Sequence, residues 1–282
     1  MQRLITGFFF VVILIGGMVW NRYSFGILFL IIVILSLIEF YKLVKNSTFG
    51  IDPQNITGVA AGTLLFITNY AVAFGFVGIK ILILNVIPAL AIIIGELYRK
   101  KDNPFGNIAF TLLGILYLAV PFSLVPYIAS PSPIGAFDPS GVYAPWHVLF
   151  YPWIIFASFM IVWANDSWAY LSGRWFGKHK LFERISPGKT WEGSAGGALV
   201  ALLFSYLMSL FFKEYTLVNW LCIGAILIVT STLGDLVESM LKRSLGVKDS
   251  GNMLPGHGGI LDRFDGMYLA LPAVWVYVVL VG

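Results

Sequence analysis

The charged residues of this chain are concentrated in one segment, KRSLGVKDSGNMLPGHGGILDRFDG at 242–266. Only 11% of the protein is Asp, Glu, Lys or Arg, yet this segment holds cations, carboxylates, a histidine and several glycines between two apolar runs. Cations and a flexible backbone are suited to binding phosphate, and carboxylates are suited to binding a hard metal ion. The segment is therefore the first candidate for chemistry.

Its carboxylates have the spacing of a metal site. Asp262 and Asp265 are three residues apart, so one turn of helix would present both on one face. Asp235 lies on the preceding apolar run, after LCIGAILIVTSTLG, which contains no charge. Asp262 or Asp265 alone could be a helix cap. Three together predict a Mg²⁺ site with Asp235, Asp262 and Asp265 as ligands, shared with substrate phosphates.

Pro255-Gly256-His257-Gly258-Gly259 cannot form regular helix, and its backbone N–H groups can converge on an anion. We predict that His257, Gly258 and Gly259 shape a phosphate-binding nest; His257 could alternatively donate a proton to a leaving group. The basic residues expected to bind phosphates around the nest are Lys242, Arg243, Lys248 and Arg263. Ser239 lies at helical spacing between Asp235 and Lys242.

Two upstream clusters are also polar. Asp166, in WANDSWAY, interrupts an apolar run. A carboxylate there either lines a cavity or makes a packing hydrogen bond. In ISPGKTWEG, a turn is expected at 186–188, beginning with Ser186. Lys189, which follows the turn, is expected to reach a phosphate. The alternative is a turn whose lysine only sets membrane topology. A nucleotide P-loop is excluded because Glu183 stands where that motif needs glycine.

The elements that position these residues must be membrane helices. The 282-residue chain is 59% hydrophobic, with mean hydropathy +0.86, and its long apolar runs do not fit a β-barrel. A spanning helix needs about 20 apolar residues. The sequence predicts an all-α polytopic bundle of nine transmembrane helices, near 4–20, 24–41, 56–76, 80–98, 107–128, 149–171, 193–212, 217–236 and 266–281.

The distribution of basic residues orients this bundle. If the loop between the sixth and seventh spans is cytoplasmic, every Lys and Arg except Arg3, Lys80 and Lys213 falls on the cytoplasmic side. The N-terminus is then outside, the first run is a retained span rather than a signal peptide, and 129–148 is an external loop. The net charge of +4 therefore indicates topology rather than nucleic-acid binding.

The two halves differ in polarity. Residues 1–150 are predicted to be a scaffold of about five helices, and 151–282 a catalytic part of about four, with its site at the cytoplasmic face. Spans 2 and 4 are smooth and apolar, which suggests a homodimer. Carboxylates, cations and a glycine nest on one face of a bundle favour phosphoryl or nucleotidyl transfer to a membrane component.

The stretch SMLKRSLGVKDSGNMLPGHGGILDRFD, 239–265, resembles the signature of the phosphatidate cytidylyltransferases, or CDP-diacylglycerol synthases, without departure. SPGKTWEG and the Asn-Asp pair at 165–166 are similar to that family as well. The resemblance covers roughly 160–270. It implies an inner-membrane enzyme that converts CTP and phosphatidate to CDP-diacylglycerol and pyrophosphate, with Mg²⁺. A second, monovalent cation stays open.

Other classes of protein remain open at this point. Intramembrane acids and broken helices also occur in transporters, although the charges here crowd one face and no paired half-repeats are visible. A CDP-alcohol phosphatidyltransferase would begin its signature with Asp-Gly and Ala-Arg, and a polyprenyl-phosphate sugar-phosphate transferase would carry an Asp-Asp pair. Neither pattern is present.

Overall fold

The computed structural model describes residues 2–130, 150–251 and 258–281. Within them the chain is almost entirely helical, with a single short hairpin. The elements are α1 (Gln2–Val19), α2 (Arg22–Lys45), α3 (Asn55–Ala73), a 3₁₀ helix (Ile79–Asn85), α4 (Val86–Arg99), α5 (Pro104–Gly114), a π-helical turn (Ile115–Ala119), α6 (Val120–Ala129), α7 (Trp153–Phe176), β1 (Lys180–Phe182), β2 (Ser186–Thr190), α8 (Trp191–Phe211), α9 (Leu217–Ser244), α10 (Leu261–Phe264) and α11 (Met267–Val281).

Eight helical segments of the described chain are long and apolar enough to cross a membrane, and a shorter apolar helix covers Thr6–Val19. Each of the nine predicted spans has its helix, which confirms the prediction of a polytopic all-α membrane protein. The main difference is α9, which continues to Ser244 rather than ending near 236. The orientation of the N-terminus stays a prediction, and the predicted external loop at 129–148 lies almost wholly outside the described residues.

Helix starts are set by local hydrogen bonds. Asn21 caps α2, with its side chain accepting from Tyr23 N and Ser24 N while Ser24 bonds back to Asn21. Thr190 caps α8 by accepting from Gly193 N over 3.1 Å. These caps satisfy backbone donors that a helix leaves unpaired in its first turn. The Thr190 cap also fixes where the hairpin ends and the α8 span begins.

Helix α2 lies at the centre of the bundle. Its Phe25 and Phe29 are fully buried and pack in an aromatic cluster that extends to Phe122, Phe159 and Phe264. In its most apolar window α2 is 56% buried, against 11% for the 79–99 segment. More than half of this window of span 2 is thus buried within the chain, whereas most of span 4 is uncovered. A homodimer through spans 2 and 4 stays a prediction.

Helices α7 and α8 pack closely against each other. A Cβ on Gly193 would lie 2.7 Å from Ala169 O, and one on Gly197 would lie 2.5 Å from Asn165 O. Small residues let membrane helices approach this closely. The contact holds α7, with Asp166, against the helix that follows the hairpin.

The hairpin corrects one prediction. Residues 186–188 were expected to form a turn, but they belong to β2, which pairs antiparallel with β1, and the turn lies at 183–185. Lys180 Nζ donates to Pro187 O over 2.7 Å and ties the two strands together. Proline and glycine are tolerated in β2 because it is an exposed edge strand. The consequence is an extended strand that delivers Lys189 directly to the start of α8.

Candidate active site

A cavity of about 780 Å³ lies between the hairpin and the helices of the second half. Volumes of this size are typical of small-molecule sites. Its apolar wall includes Phe10 and Val11 of α1 together with Trp163. Its polar wall contains seven of the predicted site residues, Asp166, Ser186, Lys189, Asp235, Asp262, Arg263 and Asp265. Four separate stretches of the sequence thus meet at one cavity.

Lys189 and Asp235 form an ion pair at this cavity. Lys189 Nζ lies 2.6 Å from Asp235 Oδ2, and the two side chains are 25% and 32% exposed. Ser239, one helical turn further along α9, donates to Asp235 Oδ1 over 3.2 Å. Ser239 itself does not border the cavity. Its position orients Asp235, so the carboxylate keeps one oxygen toward Lys189.

The second carboxylate is brought in by a close helix crossing. A Cβ on Gly234 would lie 2.8 Å from Asp265 O and 3.0 Å from the Cα of Gly266. Because Gly234 and Gly266 lack side chains, α9 and the start of α11 can touch. Asp235 is adjacent to the first glycine and Asp265 to the second, so the helix crossing brings the two acids close together. Asp265 lies within electrostatic range of both Asp235 and Asp166, with Lys189 as a counter-charge.

Asp262 has a different environment. Its Oδ1 accepts from Lys242 Nζ over 2.6 Å, and its Oδ2 accepts from Ser250 N, Ser250 Oγ and Gly259 N over 2.9–3.1 Å. Lys242 also contacts Glu238 Oε2 at 3.3 Å. Asp262 therefore borders the cavity and at the same time links Ser250 and Gly259 to Lys242 of α9.

The carboxylates suit a hard cation by their chemistry. Asp166, Asp235 and Asp265 supply oxygen donors of the kind Mg²⁺ prefers, and Lys189 shows that their charge attracts a cation. As they stand, no three Asp, Glu, His or Cys side chains within the described ranges converge closely enough to ligate one ion. The assignment of Asp235, Asp262 and Asp265 as metal ligands stays a prediction.

Several predicted phosphate ligands do not border the cavity. Arg243 is exposed and donates to Val247 O over 3.2 Å, and Lys248 is exposed as well. Lys242 is held between two carboxylates. Gly258, with φ of +82°, and Gly259 lie beside Asp262 rather than on the cavity wall. His257, with Pro255 and Gly256, lies outside the described residues.

Two residues were missed from the sequence. Arg174 borders the cavity, and its spacing of four residues from Tyr170 and eight from Asp166 places all three on one face of α7. Glu39 on α2 is buried and contacts the segment that precedes Asp262. An acid in an otherwise apolar helix was the available signal for Glu39.

Comparison with known proteins agrees with this geometry. A sequence profile of the cytidylyltransferase family matches residues 1–281. The chain belongs to the cytidylyltransferase family. The family resemblance found in 239–265 is thereby extended to residues 1–281 of this chain, including the first half. Family membership also separates it from the transporters and the two other phosphotransferase families that the sequence left open.

Curated relatives of this chain are named phosphatidate cytidylyltransferase. The protein of Haemophilus influenzae is 46% identical over 134 residues, which cover 45% of each chain. Those of Staphylococcus haemolyticus and Staphylococcus aureus are 41% identical over 175 residues, which cover 61% of this chain and 60% of theirs. The matched regions thus span about half of the relatives' own lengths.

Proposed function

We propose that this protein is an integral-membrane enzyme that transfers the cytidylyl group of CTP to phosphatidate. The products are CDP-diacylglycerol and pyrophosphate. The observation that carries the proposal is the single cavity in which Lys189, Asp235 and Asp265 face an apolar wall from α1. A soluble polyanion and a membrane lipid can meet only where such surfaces adjoin. The relatives' names support the same reaction.

In this reaction a phosphate oxygen of phosphatidate attacks the α-phosphorus of CTP. The bond from that phosphorus to the oxygen bridging to the β-phosphate breaks, and pyrophosphate leaves with the electron pair. The attacking oxygen is anionic near neutral pH, so no strong general base is required. The protein must instead position two polyanions and neutralise the charge that develops.

Charge neutralisation falls to groups at the polar wall. Lys189 binds the triphosphate, and Arg174 and Arg263 flank the same cavity. Asp235 and Asp265 would hold Mg²⁺, with Asp262 as the third predicted ligand. When bound, the ion would neutralise phosphate charge and help pyrophosphate to leave. Ser186 and Asp166 line the pocket that receives the nucleotide.

The apolar wall receives the lipid. Phe10, Val11 and Trp163 present hydrocarbon and ring surface to the cavity, suited to the first part of an acyl chain. With the hairpin on the cytoplasmic side, CTP enters from the cytoplasm and phosphatidate enters from the bilayer. We place the enzyme in the cytoplasmic membrane with its N-terminus outside.

The test is direct. The full chain, purified in detergent or nanodiscs, is supplied with CTP, phosphatidate and Mg²⁺, and both CDP-diacylglycerol and pyrophosphate are measured. Equal amounts of the two products are expected, with none from diacylglycerol in place of phosphatidate. Pyrophosphate release that does not depend on the lipid, or no release by folded protein, would overturn the proposal.

A further inference from the structure

A buried carboxylate in the first half of the chain accepts hydrogen bonds from residues that precede Asp262. Glu39, on α2, is 3% exposed. Its Oε2 accepts from Ile260 N over 2.6 Å and from Leu261 N over 3.0 Å. Its Oε1 accepts from Ser250 Oγ over 3.1 Å. All the donors are backbone or side-chain groups of the segment immediately before Asp262, more than 200 positions away along the chain.

The contact is continued to the site through Asp262. The N–H of Ser250 donates to Asp262 Oδ2. The single O–H of Ser250 lies within hydrogen-bond distance of both Asp262 Oδ2 and Glu39 Oε1. Gly259 N donates to Asp262 Oδ2 over 3.1 Å. One carboxylate from α2 and one from α10 therefore share Ser250 and bond consecutive backbone N–H groups at 259–261.

The glycines around Glu39 show how closely it fits. A Cβ on Gly259 or on Gly251 would overlap Glu39 Oε1. A side chain at either position would therefore have to displace the Glu39 carboxylate from its present place.

From these contacts we propose that Glu39 is a positioning residue for the reaction. It fixes the backbone of residues 259–261, so that Asp262 keeps its contact with Lys242 and Asp265, one turn later, stays near Asp235. The inference rests on the proposed function for its kinetic consequences, though not for its structural ones. It also gives the first half of the chain a direct part in the site.

The geometry distinguishes the conservative variants. Glu39→Gln keeps an oxygen for the two N–H groups, and its amide can donate to Ser250 Oγ, which can still donate to Asp262. Glu39→Asp keeps the charge but withdraws the carboxylate by one methylene. If position matters more than charge, the Gln variant will be the more active of the two. Glu39→Ala removes the acceptor altogether.

Ser36→Ala is the matched control. Ser36 lies one turn earlier on α2, is buried, and bonds Tyr268 OH over 2.9 Å. It therefore links α2 to α11, and its hydrogen bond to Tyr268 does not involve Ser250 or residues 259–261. Its loss measures the effect of a weakened helix contact alone.

The experiment measures kcat, KM for CTP, the Mg²⁺ concentration for half-maximal rate, and hydrogen exchange of a peptide covering 258–266, all on the full chain in nanodiscs. We expect kcat to fall roughly 10- to 100-fold in Glu39→Ala, as for other residues that orient metal ligands. Glu39→Asp should be intermediate and Glu39→Gln nearest to wild type, with amide protection in the same order. Ser36→Ala should leave kcat and this protection unchanged.

Wild-type kcat in Glu39→Asp, or an equal loss in Ser36→Ala, would overturn the proposal. If Glu39→Ala does not fold, the Gln and Asp variants decide. If the wild type makes no CDP-diacylglycerol, the proposed function fails, and the hydrogen-exchange order alone supports or overturns the positioning role.

Discussion

Lys189 and Asp235 are joined across the cavity by a 2.6 Å contact between Nζ and Oδ2. The first residue comes from the hairpin and the second from the middle of a membrane helix. Both remain partly exposed, so an incoming triphosphate would compete with Asp235 for the ammonium group. Binding of the nucleotide would then free the carboxylate for a cation, which couples the two events.

Lys189→Ala should weaken the use of CTP. A charge-assisted hydrogen bond contributes about 1.5–3 kcal/mol, so kcat/KM for CTP should fall roughly 10- to 100-fold. Initial rates at varied CTP measure this. Arg184→Ala, an exposed cation on the turn of the same hairpin, is the control and should change little. Equal losses in both variants would indicate a general effect of surface charge.

Asp262 and Asp265 should separate structure from catalysis. Asp262→Ala removes the nearer of the two carboxylates that contact Lys242 and leaves the N–H groups of Ser250 and Gly259 without this acceptor. Breaking such a buried pair costs about 3 kcal/mol or more. Asp265→Asn instead removes a charge that lies near Asp235 and Asp166, so its thermal stability without metal should equal or exceed that of wild type. Both should lose activity. A melting-temperature loss in Asp265→Asn would contradict this division.

Metal removal provides an independent test of the carboxylates. EDTA should abolish product formation, and Mg²⁺ should restore it. Because a ligand at 100 times its Kd stabilises the folded state by about 2.7 kcal/mol, Mg²⁺ should raise the melting temperature of the wild type in the absence of substrates. Asp265→Asn should show no such rise. Titration with KCl in the same assay tests for the monovalent cation.

Asp52 should make stability depend on pH. It lies between α2 and α3, within 3.1–3.2 Å of Lys45, Arg99 and Lys101. Burial raises its pKa, but the hydrogen bonds and charges of the lysines and Arg99 outweigh this, so the pKa lies below 3.8. A depressed folded-state pKa stabilises the protein above pH 3.8, and that contribution is lost as the pH falls.

Asp52→Asn should therefore lower stability at pH 7 by about 1 kcal/mol or less, as for partly exposed pairs. The difference from wild type should shrink as the pH falls below 3.8. Thermal unfolding in one detergent at several pH values measures it. Asp102→Asn, an exposed acid nearby, should show no such trend.

Cysteine labelling should fix the orientation of the bundle. Cys222 is the single cysteine, so Cys222→Ala provides a background for new ones. Helix α8 has 21 residues, about 30 Å at the usual rise, and exposed Arg184 and Glu214 lie beyond its two ends. A membrane-impermeant maleimide should reach Glu214→Cys in intact cells and Arg184→Cys only after permeabilisation. The reverse pattern would place the site on the outer face.

The amino-acid sequence determined the class of this protein and much of its chemistry. Hydropathy located every span, because a bilayer requires about 20 apolar residues in helical form. The motif at 239–265 indicated the family. Asp166 was singled out because ionisable groups are costly in such surroundings, Lys189 because it follows a predicted turn, and Asp265 because of its spacing from Asp262. All three border the cavity.

Other features depend on contacts between distant residues and could not be predicted from local patterns. Residues 186–188 of the hairpin were expected to be a turn, because proline and glycine favour turns unless a paired strand uses them at an edge. The buried face of α2 looks like any apolar face in sequence. Helical periodicity shows which face is apolar, and not what covers it.

Only the tertiary structure decided which groups surround each acid. Asp262 and Asp265 have the same residue type and lie one turn apart, yet the first is bound by Lys242 and Ser250 while the second lies near Asp235. Glu39 acquires its role from backbone groups more than 200 residues away. A sequence fixes the charge that each residue can carry, whereas the packing of helices determines which donors reach it.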